Sequence, residues 1–148
     1  MTTPTSQEKS TIILREKRLQ DQKHDVILVE DDEALHRVLR RQLQWAGFDV
    51  SSAYDAGAFL SKLALPRAKS LVAIVDLRLP GLNGDVAIDW ISQSQDEVHK
   101  KLSLIVLTGS PELVHSGLEM ASNVKHILFK PCPIEQLVSC VRDCVSPS

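Results

Sequence analysis

From Asp25 onward the chain alternates between short apolar runs and stretches in which apolar residues recur at helical spacing. Residues 26–29, VILV, form a continuous run rich in β-branched side chains, the pattern of a strand covered on both faces. Leu35, Val38, Leu39, Leu43 and Ala46 then mark one helical stripe, with Arg37, Arg40 and Arg41 off it and Gly47 as a natural stop. FDVSSA at 48–53 reads as a second strand, and Asp55 is placed to cap a helix from Ala56 to Leu63, ended before Pro66. LVAIVD at 71–76 predicts a buried strand, LRLPGLNG a loop, and Asp85 to about Ser92 a helix carrying Val86, Ile88, Trp90 and Ile91. LSLIVL at 102–107 and HILF at 126–129 predict two further strands separated by a short helix after Pro111. A last helix carries Ile134, Leu137, Val138, Val141 and Val145 on one stripe. Roughly five βα units in succession predict an α/β fold, a doubly wound parallel sheet with helices on both faces.

Residues 1–24 lack this regularity. Ile12, Ile13, Leu14 and Leu19 are too few and too clustered to establish an amphipathic helix, so this segment reads as an N-terminal extension, either a frayed or partner-bound helix or a flexible arm, and 25–148 as the folded domain. A length of 148 residues suits one such domain. The extension holds five basic and three acidic residues, leaving twelve basic and sixteen acidic in the rest, so the folded body carries −4 and offers no electrostatic case for nucleic acid. No apolar run approaches the length of a membrane span. Cys132, Cys140 and Cys144 are odd in number and come without a secretory signal, which points to a reducing cytoplasm. Cys140 and Cys144 lack the second ligand pair that zinc requires and read as buried or half-buried thiols.

In open parallel sheets, ligands bind at the carboxyl ends of the strands, where the topology changes direction. The first predicted strand ends in Glu30 and Asp31, the third in Asp76, the fourth in Thr108 and the fifth in Lys130. Grouped carboxylates repel unless a cation neutralises them, and an all-oxygen donor set suits Mg²⁺ better than zinc. A cation site gains nothing from an added ammonium, so Lys130 and Thr108 make sense only if an anion also visits. A phosphoryl group between Mg²⁺, a lysine and a hydroxyl meets that condition, with one carboxylate as nucleophile forming an aspartyl phosphate. Singly, each residue has a plainer role as a helix cap or turn residue. Jointly, that reading needs five coincidences at one rim.

ILVEDD at 27–32, VDLRLPGLNG at 75–84, IVLTG at 105–109 and LFKP at 128–131 resemble, in order and spacing, the receiver domains of two-component response regulators. The resemblance covers about residues 25–145. It implies a flavodoxin-like five-stranded sheet of order 2-1-3-4-5, with Asp76 accepting a phosphoryl group from a sensor histidine kinase or a histidine phosphotransfer protein. Glu30 and Asp31 would position Mg²⁺, one of them through water, and the Asp76 side chain and Arg78 backbone carbonyl would complete its protein ligands. Thr108 and Lys130 would bind phosphoryl oxygens, and the Lys130–Pro131 peptide would be cis. Asp32 and Glu33 would serve the positive end of the following helix, and the acidic charge would sit at the mouth of the first strand instead of being buried.

Two positions depart from the family pattern. Ile127 stands where an aromatic residue commonly swings inward, and Phe129, on the same strand face, either takes part of that role or simply packs. Arg78 and Ser110 occupy positions that tune hydrolysis of the acyl phosphate, and the long Arg78 side chain is expected to hinder water. The resemblance further implies a signalling domain and not an enzyme, with a downstream protein target and a homodimer face on the fourth helix, fifth strand and fifth helix of the repeat. Only 17 residues follow Pro131, so a stand-alone receiver without a DNA-binding output domain is expected. An aspartate-nucleophile phosphatase usually has a second Asp where Arg78 stands; a nucleotide-binding module would need a glycine-rich phosphate loop; a phosphate-independent pseudo-receiver would not need the intact site set. His36 lacks the acidic neighbour of a kinase phosphorylation helix and reads, like His24, His99, His115 and His126, as a surface or interface residue.

Overall fold

The computed structural model describes residues 3–12, 24–65, 71–81 and 83–145. Five strands, β1 (Asp25–Val29), β2 (Asp49–Ala53), β3 (Leu71–Val75), β4 (Ser103–Thr108) and β5 (Val124–Phe129), pair in parallel in the order β2-β1-β3-β4-β5. The helices are α1 (Glu33–Trp45), α2 (Ala56–Leu63), α3 (Gly84–Ser92), α4 (Glu97–Lys101), α5 (Ser116–Met120) and α6 (Ile134–Val145). This is the predicted doubly wound sheet in the predicted strand order.

Alternation along the strands divides the core. Ile27, Val29, Ala73, Val75, Leu104 and Val106 face α2, α3 and α5, packing on Phe59, Ile88 and Leu118. Val26, Leu28, Val72, Ile74, Ile105 and Leu107 face α1 and α6, packing on Leu39, Leu43, Leu137 and Val141. With helices on both faces, β1, β3 and most of β4 are buried along their length, which is why they read as unbroken apolar runs.

Several predicted details differ. Val38, Val86 and Trp90 are 57%, 49% and 55% exposed and lie off the core-facing stripes. The buried positions of α1 are His36, Leu39 and Leu43, and those of α3 include Ala87, Ile88 and Ile91. Helical spacing sets the inward face whatever the residue's hydropathy, so a histidine and an alanine took places assigned to larger apolar neighbours. The surface reading therefore fails for His36 and His99, both buried. The His99 ring lies 5.2 Å from the Trp90 ring, and its Nδ1 is 2.7 Å from Ser94 Oγ, so a local hydroxyl satisfies the nitrogen.

The chain also forms α4, which was not predicted; Asp96 caps it through the Val98 N–H at 2.9 Å. The helix expected after Pro111 is divided into a 3₁₀ turn at Pro111–Leu113 and α5. Residues 6–12 are helical and exposed. A reciprocal cap starts them: Glu8 N–H donates to Thr5 Oγ1 at 3.1 Å, and Thr5 N–H donates to Glu8 Oε2 at 2.8 Å. Ile13, Leu14 and Leu19 lie outside the described residues.

Candidate functional site

The chain passes from β1 outward to β2 and then returns to β3 on the other side of β1, so the direction changes between β1 and β3. Three backbone bonds carry the ladder one residue past the strand ends. Glu30 N–H donates to Ala53 O at 3.1 Å, Asp76 N–H to Val29 O at 3.2 Å, and Lys130 N–H to Thr108 O at 2.8 Å. Glu30, Asp76 and Lys130 are thereby held on the sheet's own frame, with Thr108 as the last residue of β4.

The Lys130 ammonium donates to Glu30 Oε1 and, at 2.8 Å, to Asp76 Oδ2. Asp76 Oδ1 accepts the Arg78 N–H at 3.1 Å, so both carboxylate oxygens are oriented. Glu30 and Asp31 lie at the mouth of β1 as expected, but the expectation that this charge is not buried fails for Glu30, which is 2% exposed, while Asp31 is exposed. A paired ammonium is what allows the Glu30 carboxylate to be buried. Burial, joined by the charge of Asp76, pushes the Glu30 carboxyl above its ordinary range against the hydrogen bond and charge of Lys130. Burial works to lower the Lys130 pKa, but its hydrogen bonds to Asp76 and Glu30, with their charges, outweigh it and hold the ammonium above its usual value.

Glu30, Asp31 and Asp76 each bring a carboxylate oxygen within 4.8 Å of the others, as a group able to hold a metal ion among the described residues. Three carboxylates against one ammonium leave a negative surplus, and every donor is a hard oxygen. The residues present therefore fit Mg²⁺.

Thr108 is fully buried, and its Oγ1 accepts the Ser110 N–H at 3.0 Å. Arg78 turns its guanidinium to the loop after β4, donating from Nε to Ser110 Oγ at 2.6 Å and from Nη2 to Glu112 Oε1 at 2.7 Å. Ile127 is half-buried against the α2–α3–α5 side of the core, while Phe129, two residues on, is 48% exposed. The Lys130–Pro131 peptide is cis. Asp32 caps α1, its Oδ1 accepting the Leu35 N–H at 3.0 Å, and Glu33 lies in that helix's first turn.

Three residues at the site escaped the sequence reading. His36 Nδ1 lies 2.9 Å from Glu30 O; a carbonyl only accepts, so Nδ1 carries the proton and fixes the backbone of the buried acid. The ring stacks on Tyr54 with centroids 4.3 Å apart. Its place three residues before Leu39 was the available signal. Gly84 is the second: a Cβ there would stand 2.3 Å from the Asp76 carbonyl oxygen, so only glycine lets α3 start against the Asp76 backbone. The third is Glu112, whose pairing with Arg78 across 34 residues has no local signature.

Comparison with known proteins agrees with this fold. The family model of the response regulator receiver domain matches residues 26–142. A curated relative, response regulator MprA of Mycobacterium avium (strain 104), is 27% identical over 117 residues, covering 79% of this chain and 49% of its own. The chain thus spans about half the length of the curated relatives it matches. Among solved structures, the receiver domain protein (CheY-like) from Methanospirillum hungatei JF-1 aligns with a TM-score of 0.70 at 21% identity, over 83% of this chain and 94% of that one. The signal receiver domain of an HD domain-containing protein from Pseudomonas fluorescens Pf-5 aligns with a TM-score of 0.72 at 23% identity, over 82% and 94%. These likenesses are to signalling domains, and among the described residues no helix is long and apolar enough to cross a membrane. The chain belongs to the response regulator receiver domain family.

Proposed function

We propose that the chain is a phosphoacceptor: Asp76 takes a phosphoryl group from a phosphohistidine on a sensor kinase or a histidine phosphotransfer protein. The observation that carries this reading is Lys130, which reaches Asp76 at 2.8 Å and also pairs with Glu30, at a rim where three carboxylates gather within 4.8 Å. A lysine placed to balance acids can equally bind the oxygens of an arriving phosphoryl group. An Asp76 oxygen attacks phosphorus; the new P–O bond forms as the P–N bond breaks, and that electron pair leaves with the imidazole nitrogen. Glu30, Asp31, the Asp76 side chain and the Arg78 carbonyl would hold Mg²⁺, which when bound neutralises the carboxylates and the phosphoryl oxygens. Lys130 and the Thr108 hydroxyl bind the oxygens of the product and so register its arrival. The signal then passes by protein contacts through the face of α5, β5 and α6, which also suits a homodimer or a downstream target.

The full chain incubated with Mg²⁺ and a small acyl phosphodonor is expected to form an acid-stable, base-labile adduct that Asp76→Asn abolishes. No adduct together with no binding of beryllofluoride, a phosphoryl analogue, would overturn the reading.

A further inference from the structure

We infer that Glu112 is a positioning residue for Arg78, holding its guanidinium on the loop after β4 until a phosphoryl group on Asp76 draws it away. This rests on the phosphoacceptor reading. Four residues are joined without a break: the Arg78 N–H donates to Asp76 Oδ1 at 3.1 Å, its Nε to Ser110 Oγ at 2.6 Å, and the Ser110 N–H to Thr108 Oγ1 at 3.0 Å. Glu112 closes the outer end, accepting from Arg78 Nη2 at 2.7 Å. The two loops that carry Asp76 and Thr108 are thus tied through one guanidinium.

The tie is built to exchange. The Arg78 and Glu112 side chains are 65% and 61% exposed, so their ion pair is weak and screened by salt. A phosphoryl group on Asp76 offers more negative charge and three acceptor oxygens matched to the guanidinium fork. Arg78 begins only two residues from Asp76. When its side chain turns to the phosphoryl group, Ser110 and Glu112 lose their donor and the loop after β4 is released. Ile127 supplies no ring to report that event, whereas this exchange acts on the loop next to Thr108 directly. Glu112 therefore competes with the phosphoryl group for Arg78.

Beryllofluoride with Mg²⁺, titrated calorimetrically into the full chain, tests this on five proteins: wild type, Glu112→Gln, Glu112→Asp, Arg78→Gln and the double variant Arg78→Gln/Glu112→Gln. Glu112→Gln is expected to tighten binding about two- to fivefold at low salt, the range of one exposed ion pair. Glu112→Asp keeps the charge and should stay near wild type. In the Arg78→Gln background, Glu112→Gln should change nothing, because the residue it acts through is gone. A tightening that persists there would reduce Glu112 to a general charge effect and overturn the inference, as would unchanged affinity in Glu112→Gln alone. Wild-type protein that binds no beryllofluoride would overturn the phosphoacceptor reading and this inference together; wild-type binding without the coupling would overturn this inference only.

Discussion

At the amino ends of the strands, Asn123 is 5% exposed and its amide donates to His99 O at 2.7 Å and Leu102 O at 2.9 Å, pinning the segments that lead into β4 and β5. At the carboxyl ends, Glu30 and Asp76 are as well buried, yet they share one ammonium as counter-ion and a third carboxylate stands beside them. At the first end the buried Asn123 amide is neutral and paired; the second end gathers like charge and leaves it under-compensated. A fold gains stability from the first arrangement and gives some up in the second, since crowded carboxylates repel and buried charge is costly. Such a surplus suits a site that receives a cation. The charge difference between the two ends supports placing the proposed phosphoacceptor site at the carboxyl ends.

Lys130→Met should open this contrast widest. It strips the buried Glu30 of its counter-ion, and in metal-free buffer the stability loss should be about 3 kcal/mol, as for breaking one partner of a buried pair. The same change removes a cation that competes for Glu30 and Asp76, so Mg²⁺ affinity should rise and added Mg²⁺ should restore more stability than it gives wild type. Urea unfolding in chelator and in Mg²⁺ measures both. A variant as stable as wild type without metal would show that Lys130 does not balance the rim.

The sequence made the charged end legible because each strand's exit is marked by a change from apolar to polar residues, and Glu30, Asp31, Asp76, Thr108 and Lys130 all sit at such changes. The strand order needed the family resemblance, since alternation alone does not say which strands are neighbours. Side-chain partnerships across the chain were hidden for the same reason: Arg78 meets Glu112 through loop geometry that no periodicity encodes. Polarity alone misplaces His36 and His99, because a ring with one nitrogen bonded to a nearby carbonyl or hydroxyl can be buried. Trp90 was misplaced in the opposite sense, its size outweighing its position on α3.

Asn123→Ala probes the neutral end. It leaves the His99 and Leu102 carbonyls without their side-chain donor in a buried place, and should cost about 2 kcal/mol. The rate of adduct formation with a small phosphodonor should be unchanged, because Asn123 acts at the opposite end of the strands from Asp76. Loss of adduct in a folded Asn123→Ala protein would mean that the two ends are not separate in function.

Asp55→Ala makes the finest division, within the charged end itself. Asp55 follows β2 on the same rim as Glu30, but β2 is an edge strand outside the β1–β3 junction, and its carboxylate is spent locally: Oδ1 accepts the Ala58 N–H at 2.7 Å and caps α2. Losing a cap of this kind costs about 1 kcal/mol. If the rim works by overall negative potential, Asp55→Ala should weaken Mg²⁺ binding as well as the fold. If it works by the three carboxylates that converge on one point, only the fold should respond, and Mg²⁺ affinity should equal that of wild type. The convergence of Glu30, Asp31 and Asp76 within 4.8 Å predicts the second result. Convergence with the other two carboxylates on one point, and not presence on the rim, then decides whether an acid serves the metal or, like Asp55 and Asp32, a helix.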